Sequence, residues 1–119
     1  MLIFKICHEA EWQQAERDGL YAGSAKDRED HFMHFSTAEQ VRGTLERYYA
    51  DDSDLLLVAV EAEPFGDALV FEPSRGGALF PHLYGRLPLA AVRRVVDLPL
   101  GGDGRHAFPP LPLAAAAAG

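Results

Sequence analysis

Two short segments carry the residues best suited to chemistry. The first is His34-Phe35-Ser36-Thr37. His34 and Ser36 are two positions apart, so on a strand both side chains leave the same face, roughly 7 Å apart along the chain. Thr37 followed by Gln40 has the form of a capping box, which predicts a helix start beside them. Backbone amides at a helix start attract anions. An imidazole, a hydroxyl and a helix start at one strand end suit a phosphate, a ribose or a carboxamide. The same pattern also fits a plainly capped strand end with His34 half-buried.

The second segment is Phe80-Pro81-His82-Leu83-Tyr84-Gly85. Alternation puts His82 and Tyr84 on one face and Leu83 on the other. His82 can donate, accept or titrate near neutrality, and Tyr84 offers a ring face with a hydroxyl. A rigid turn that packs Phe80 and Tyr84 against the core is the competing reading. Between the two lies Glu72-Pro73-Ser74-Arg75-Gly76-Gly77. Gly77 permits close backbone approach to a ligand, Arg75 is a ready partner for an anion, and Glu72 suits a general base or a stabiliser of developing positive charge. A hairpin loop in which Glu72 and Arg75 pair with each other would look the same.

The remaining histidines rank lower. His8 follows an apolar run and is placed to cap a helix, His31 lies among charges, and His106 sits near the C-terminal end. The histidines and carboxylates lack the spacing of a metal site, so no metal ligands are assigned. No P-loop, dinucleotide-binding glycine fingerprint or nucleophile elbow is present.

These segments must be positioned by regular elements. LIFKIC at 2–7 reads as a strand, and 9–18 as a helix that packs Trp12 and stops at Gly19. Residues 22–31 are polar and read as a loop. Residues 32–36 read as a strand with Phe32, His34 and Ser36 on one face and Met33 and Phe35 on the other. A helix from Thr37 follows, with Val41, Leu45, Tyr48 and Tyr49 as its buried stripe. LLLVAV at 55–60 is apolar throughout, so it belongs at the centre of the sheet. Further strands read at 68–71, 82–84 and 92–98, a loop at 73–81, and a single helical turn after Pro88. The order β-α-β-α and then several strands predicts an α+β domain with a mixed, mostly antiparallel sheet and two main helices. Residues 1–100 form that single domain. Residues 101–119 are a Gly-, Pro- and Ala-rich tail whose AAAAA run is too short to hold a helix alone.

Composition narrows the function classes. A chain of 119 residues, 48% hydrophobic, is one globular domain with a core of its own. The net charge of −7 argues against DNA and against anionic membranes as partners. The charge is uneven: residues 1–67 hold 15 acids and 6 bases, whereas residues 68–119 hold 3 acids and 5 bases. A local anion site in the second half is therefore compatible with the overall charge. Cys7 is the single cysteine and lies in an apolar run, where it reads as core. With no disulfide, no signal peptide and no spanning segment, the expected location is cytoplasmic.

The N-terminal strand with Trp12 on the following helix, then HFMHFST, then EPSRGGALFPHLYG, resemble a small bacterial family known as domain of unknown function 952. The resemblance covers roughly residues 1–98. It implies a distant likeness in fold to the ADP-ribosyltransferase group, which includes RNA 2′-phosphotransferases: a split sheet with a cleft between its halves. In one branch of that group a His-x-Ser/Thr motif holds the nicotinamide ribose of NAD and a later Glu assists transfer. The resemblance thus implies NAD as cofactor, His34 and Ser36 as the motif, and Glu72 as the match for that Glu. Phe35 stands where that group commonly has Gly, and a side chain facing inward there would obstruct the nicotinamide pocket.

The reading is a cleft with His34, His82 and Glu72 as catalytic candidates and Ser36, Thr37, Arg75, Gly77 and Tyr84 as ligand contacts. It would take a small anionic, nucleotide-like or ribose-phosphate ligand, with glycosyl or phosphoryl transfer as its chemistry. The alternatives are a noncatalytic small-anion or peptide-binding module and a homodimeric interaction domain.

Overall fold

The computed structural model describes residues 1–111; the AAAAA run at 114–118 lies outside the described residues. The molecule is organised about the strand with no polar side chain in its middle. β4 (Leu55–Glu61) is buried from Leu55 to Val60 and lies between β1 (Leu2–His8) and β8 (Val92–Leu98), antiparallel to both. Both of its faces are covered, which is why alternation is missing from its sequence. On one face Ile3, Cys7, Leu56, Val58 and Val60 pack with Trp12 and Ala15 of α1 (Glu9–Asp18), and with Met33, Phe35, Leu83 and Leu87. On the other face Phe4, Ile6, Leu55, Leu57 and Ala59 pack with Val41 and Leu45 of α3 (Val41–Tyr48).

A second three-stranded sheet holds the residues of interest. β3 (Met33–His34) pairs antiparallel with β6 (Leu79–Leu83), and β6 with β5 (Leu69–Pro73). Backbone hydrogen bonds between Phe4 and Ser36, 2.8 Å each way, tie this sheet to β1. A two-stranded ribbon of β2 (Leu20–Tyr21) and β7 (Leu87–Pro88) completes the strands. The architecture is α+β with antiparallel pairing throughout the described residues, the sheet being split into separate pieces.

Several local expectations are corrected. Residues 25–30 are not loop: they form α2 (Ala25–Asp30). Ser24 Oγ accepts the Asp27 N–H at 3.1 Å, and the Asp27 carboxylate accepts the Ser24 N–H at 2.9 Å, a reciprocal cap. Six residues give no periodic signal, and contacts from elsewhere in the fold hold this helix (see below). The chain turns left-handed at its end, at His31 with φ 67. Regular helix in α3 begins at Val41, not Thr37; residues 38–40 are a turn. The Gln40 side chain accepts the Thr37 N–H at 3.0 Å, so only half of the expected box is formed. Tyr48 is 61% exposed rather than part of the buried stripe, which runs through Val41 and Leu45. The 73–81 loop ends early, because Leu79, Phe80 and Pro81 are already strand.

The start of the C-terminal segment lies against the body. Leu100 and His106 form an isolated bridge, the His106 ring donates to the Asp52 carbonyl at 2.6 Å, and Phe108 packs beside the α3 face under the Arg42 guanidinium.

Candidate functional site

His34 and His82 are direct partners across the β3–β6 ladder. Two residues opposite one another on antiparallel strands project to the same face. Their ring centroids lie 5.7 Å apart at an edge-on angle of 70°. The two segments that the sequence singled out, nearly fifty positions apart, therefore meet. They line a cleft of about 430 Å³ whose floor includes Phe4, Lys5 and Ile6 of β1.

Each imidazole is held by carboxylates. His34 Nδ1 is 2.5 Å from Asp27 Oδ1, and His34 Nε2 is 2.9 Å from Asp30 Oδ2. His82 Nδ1 is 2.8 Å from Glu72 Oε1, and the Tyr84 hydroxyl donates to that same oxygen at 2.7 Å. Phe32 stacks on the His82 ring, with centroids 4.0 Å apart. His34 is one-third exposed, whereas His82 is 5% exposed.

The carboxylate of Asp27 is the hub that positions His34. Oδ1 accepts the His34 N–H at 3.1 Å as well as facing Nδ1, and Oδ2 is 2.9 Å from Lys5 Nζ. Lys5 also donates to the His34 carbonyl at 2.9 Å. Lys5 and Asp27 are each 4% exposed, so this is a buried ion pair between β1 and α2. Burial works to raise the Asp27 carboxyl, but hydrogen bonds and charge from His34 and Lys5 outweigh it and hold the group well below the usual carboxylate range. Next to His82, but outside the lining of the cleft, the Tyr84 hydroxyl and then the His82 ring hold Glu72 below its ordinary value, and the same bond raises the Tyr84 phenol.

Ser36 faces the cleft, with its hydroxyl 2.9 Å from Thr44 Oγ1 of α3. Tyr48, Tyr49 and Phe80 supply an aromatic wall. Burial pushes the Tyr49 phenol up to about 12. Phe35 is buried in the core cluster of Ile3, Cys7 and Met33 and also contributes to the lining of the cleft between His34 and Ser36.

The Thr37 backbone N–H donates to the Gln40 side chain, and Gln40, not Thr37, is the residue at the N-terminal boundary of α3. Gly77, with φ 80, closes a tight turn in which its N–H donates to the Ser74 carbonyl. Arg75 does not pair with Glu72: its guanidinium lies over the Phe80 ring, 5.3 Å from the centroid, and against Gly43 of α3. Arg75 is not itself among the residues that line the cleft, although Phe80 beneath it and Ser74 before it are. His8 receives Glu11 at its backbone N–H and pairs with Asp52 through Nε2 at 3.1 Å. Burial pushes the Cys7 thiol up to about 12, as suits a core side chain. No group of three or more histidine, cysteine or carboxylate side chains among the described residues is arranged to hold a metal ion. No described helix is long and apolar enough to cross a membrane.

Sequence reasoning missed Asp27, Asp30 and Lys5. The signal for Lys5 was a charge in the middle of an apolar strand, which demands a buried partner. Nothing in the polar 22–31 stretch marked Asp27 as that partner.

The family profile described as "Protein of unknown function (DUF952)" matches residues 6–95, a span that includes both histidines and Glu72. The chain belongs to this family. Solved structures of one protein, CC0527 from Caulobacter crescentus, are similar to it. The crystal structure is 46% identical, with a TM-score of 0.85, and the match covers 90% of this chain and 94% of that one. The solution NMR structure is 48% identical, with a TM-score of 0.78, covering 87% and 89%. Comparison with curated proteins yields no match. The DUF952 assignment accounts for the fold and leaves the chemistry to be argued from the cleft.

Proposed function

We propose that the cleft between His34 and His82 binds a small anionic ligand of nucleotide-like or ribose-phosphate type and supports glycosyl or phosphoryl transfer on it. The observation that carries this reading is the pair of facing imidazoles, each bonded to a carboxylate, on the wall of a 430 Å³ cleft. That volume falls within the range of small-molecule sites, and its lining mixes an aromatic wall with converging polar groups, as such sites do.

Roles follow from placement. Glu72 orients His82 through Nδ1, which leaves Nε2 for acid–base work on the ligand. The Ser36 and Thr44 hydroxyls suit a sugar, and Tyr48 and Tyr49 suit a flat ring. Arg75, at the edge, suits a phosphate. Both transfers develop charge that fixed groups can stabilise. The distant likeness to ADP-ribosyltransferases makes NAD the first cofactor to test. One observation favours a noncatalytic binding module as second reading: His34 Nδ1 is hydrogen-bonded to Asp27, and the Asp30 carboxylate lies 2.9 Å from Nε2.

The test is thermal denaturation with millimolar ribose 5-phosphate, AMP, ADP-ribose and NAD, followed by product analysis. A ligand at a hundred times its Kd stabilises by about 2.7 kcal/mol, which for a chain of this length is about 10 °C in Tm. The shift is expected to disappear in His82→Ala. No shift with any of the four compounds refutes the proposal, and a shift without product selects the binding module.

A further inference from the structure

The buried hydroxyl of the cleft has a direction. Ser36, 3% exposed, lines the cleft, and its Oγ lies 2.9 Å from Thr44 Oγ1. Each hydroxyl has one proton to give. Thr44 Oγ1 also donates to the Gln40 carbonyl, one turn back on the chain, at 3.3 Å. That carbonyl takes the Thr44 N–H as well, at 3.1 Å, one bond for each of its lone pairs. A carbonyl oxygen only accepts, so the Thr44 proton is spent on it, and the bond between the two hydroxyls is donated by Ser36. The relay runs from Ser36 to Thr44 to the Gln40 carbonyl. It leaves Ser36 Oγ able to accept from a ligand but with no proton to offer one.

The charges in the lining add a second condition. Lys5 Nζ is 2.9 Å from Asp27 Oδ2, and Lys26 Nζ is 3.5 Å from Asp30 Oδ1. All four residues line the cleft, so each lysine there is already matched by a carboxylate. An anion taken inside would find both cations in use, two carboxylates nearby, and Phe4, Phe35 and Phe80 on the walls. Withdrawing an unpaired charge from water into such a place is costly. Arg75 is the contrast. It stands outside the lining with its guanidinium over the Phe80 ring, and no carboxylate pairs with it among the described residues.

We propose that the cleft recognises the uncharged part of its ligand: a hydroxyl or amide N–H donates to Ser36 Oγ inside, and the anionic group stays at the rim beside Arg75. This deepens the ligand-binding reading above and rests on it. The substrate class is a molecule with a neutral, donor-bearing body of nucleoside type, to which the phosphate is an appendage. Ser36 is then a specificity-determining residue that reads a donor, and Arg75 is the residue that senses the charge. The unphosphorylated body binds by itself, and the free anion does not.

The experiment is calorimetric titration of the full-length protein with adenosine, AMP and inorganic phosphate. Adenosine is expected to bind, AMP to bind about tenfold more tightly, and phosphate alone to give no heat at millimolar concentration. Arg75→Gln should remove the advantage of AMP and leave adenosine unchanged. Ser36→Ala should weaken adenosine and AMP alike, by about three- to tenfold, and keep their ratio. That variant leaves Thr44 its bond to the Gln40 carbonyl, so no buried proton is orphaned. A second readout needs no variant: backbone amide resonances that differ between the adenosine and AMP complexes should belong to residues 74–80, not to Ser36 and Thr37. Binding of phosphate alone, an AMP advantage that survives Arg75→Gln, or AMP-specific resonance changes at Ser36 overturns the orientation. Unchanged binding in Ser36→Ala overturns the role of Ser36. Silence of both adenosine and AMP overturns the inference. If ribose 5-phosphate, ADP-ribose and NAD are silent too, the proposed function falls with it, whereas binding of any of these three leaves that function standing.

Discussion

Replacing Lys5 by Met tests the buried charge chain that positions His34. Met keeps most of the apolar stem, so little cavity forms, but Nζ is lost. Asp27, 4% exposed, would then be a buried carboxylate without its 2.9 Å cation, and the His34 carbonyl would lose a donor. Breaking a buried pair from one side costs about 3–5 kcal/mol. Three N–H groups, from Ser24, the His34 backbone and the His34 ring, still reach the Asp27 carboxylate. The expected loss is therefore at the low end, about 3 kcal/mol. In urea, with a slope of about 1.5–2 kcal/mol/M, this moves the midpoint down by about 1.5–2 M. The same variant has a pH signature. The folded-state Asp27 carboxyl is depressed, so its stabilisation is fully present above the unfolded value of about 3.9 and is lost as pH falls below that toward the folded value. Native stability should thus decline on acidification below about pH 4, and Lys5→Met, with a less depressed Asp27, should lose less over that window. A midpoint shift under about 0.5 M at unchanged slope, with an unaltered acid limb, would show that the Lys5–Asp27 pair does not carry the stability argued here.

Two further substitutions probe the cleft rim. A Cβ on Gly43 would stand 3.3 Å from Arg75 Nη2 and 3.4 Å from Nη1, the movable end of a flexible side chain. Gly43→Ala is expected to raise Tm by a few degrees, since Ala is better than Gly in a helix by about 1 kcal/mol; a fall in Tm on thermal melting would mean that Arg75 is firmly seated against the helix. Glu72→Gln weakens the hydrogen bond, and removes the charge, by which Glu72 raises the Tyr84 phenol, so Tyr84 should ionise at lower pH in an ultraviolet absorption titration. An unmoved titration would show that the Tyr84–Glu72 bond is not made in solution.

What the sequence by itself determined follows from periodicity and punctuation. The uninterrupted LLLVAV run could only be a strand covered on both sides, and Gly19, left-handed at φ 79, could end α1 without cost. Alternation placed His34 with Ser36, and His82 with Tyr84, because strand geometry alone decides which side chains share a face. The tertiary structure decided which partners those side chains meet. Register across β3 and β6 set His34 opposite His82, and no local rule links positions so far apart. Helix α2 has too few residues to announce itself; Asp27 anchors it through Lys5 and His34, contacts that exist only once β1 and β3 are assembled. Thr37 and Tyr48 went the other way, because the approach to α3 and its rotation against β1 and β4 were settled by packing of Val41 and Leu45, not by the capping pattern. Local physics therefore specified the elements and their faces, while charge pairing in the desolvated interior specified the site.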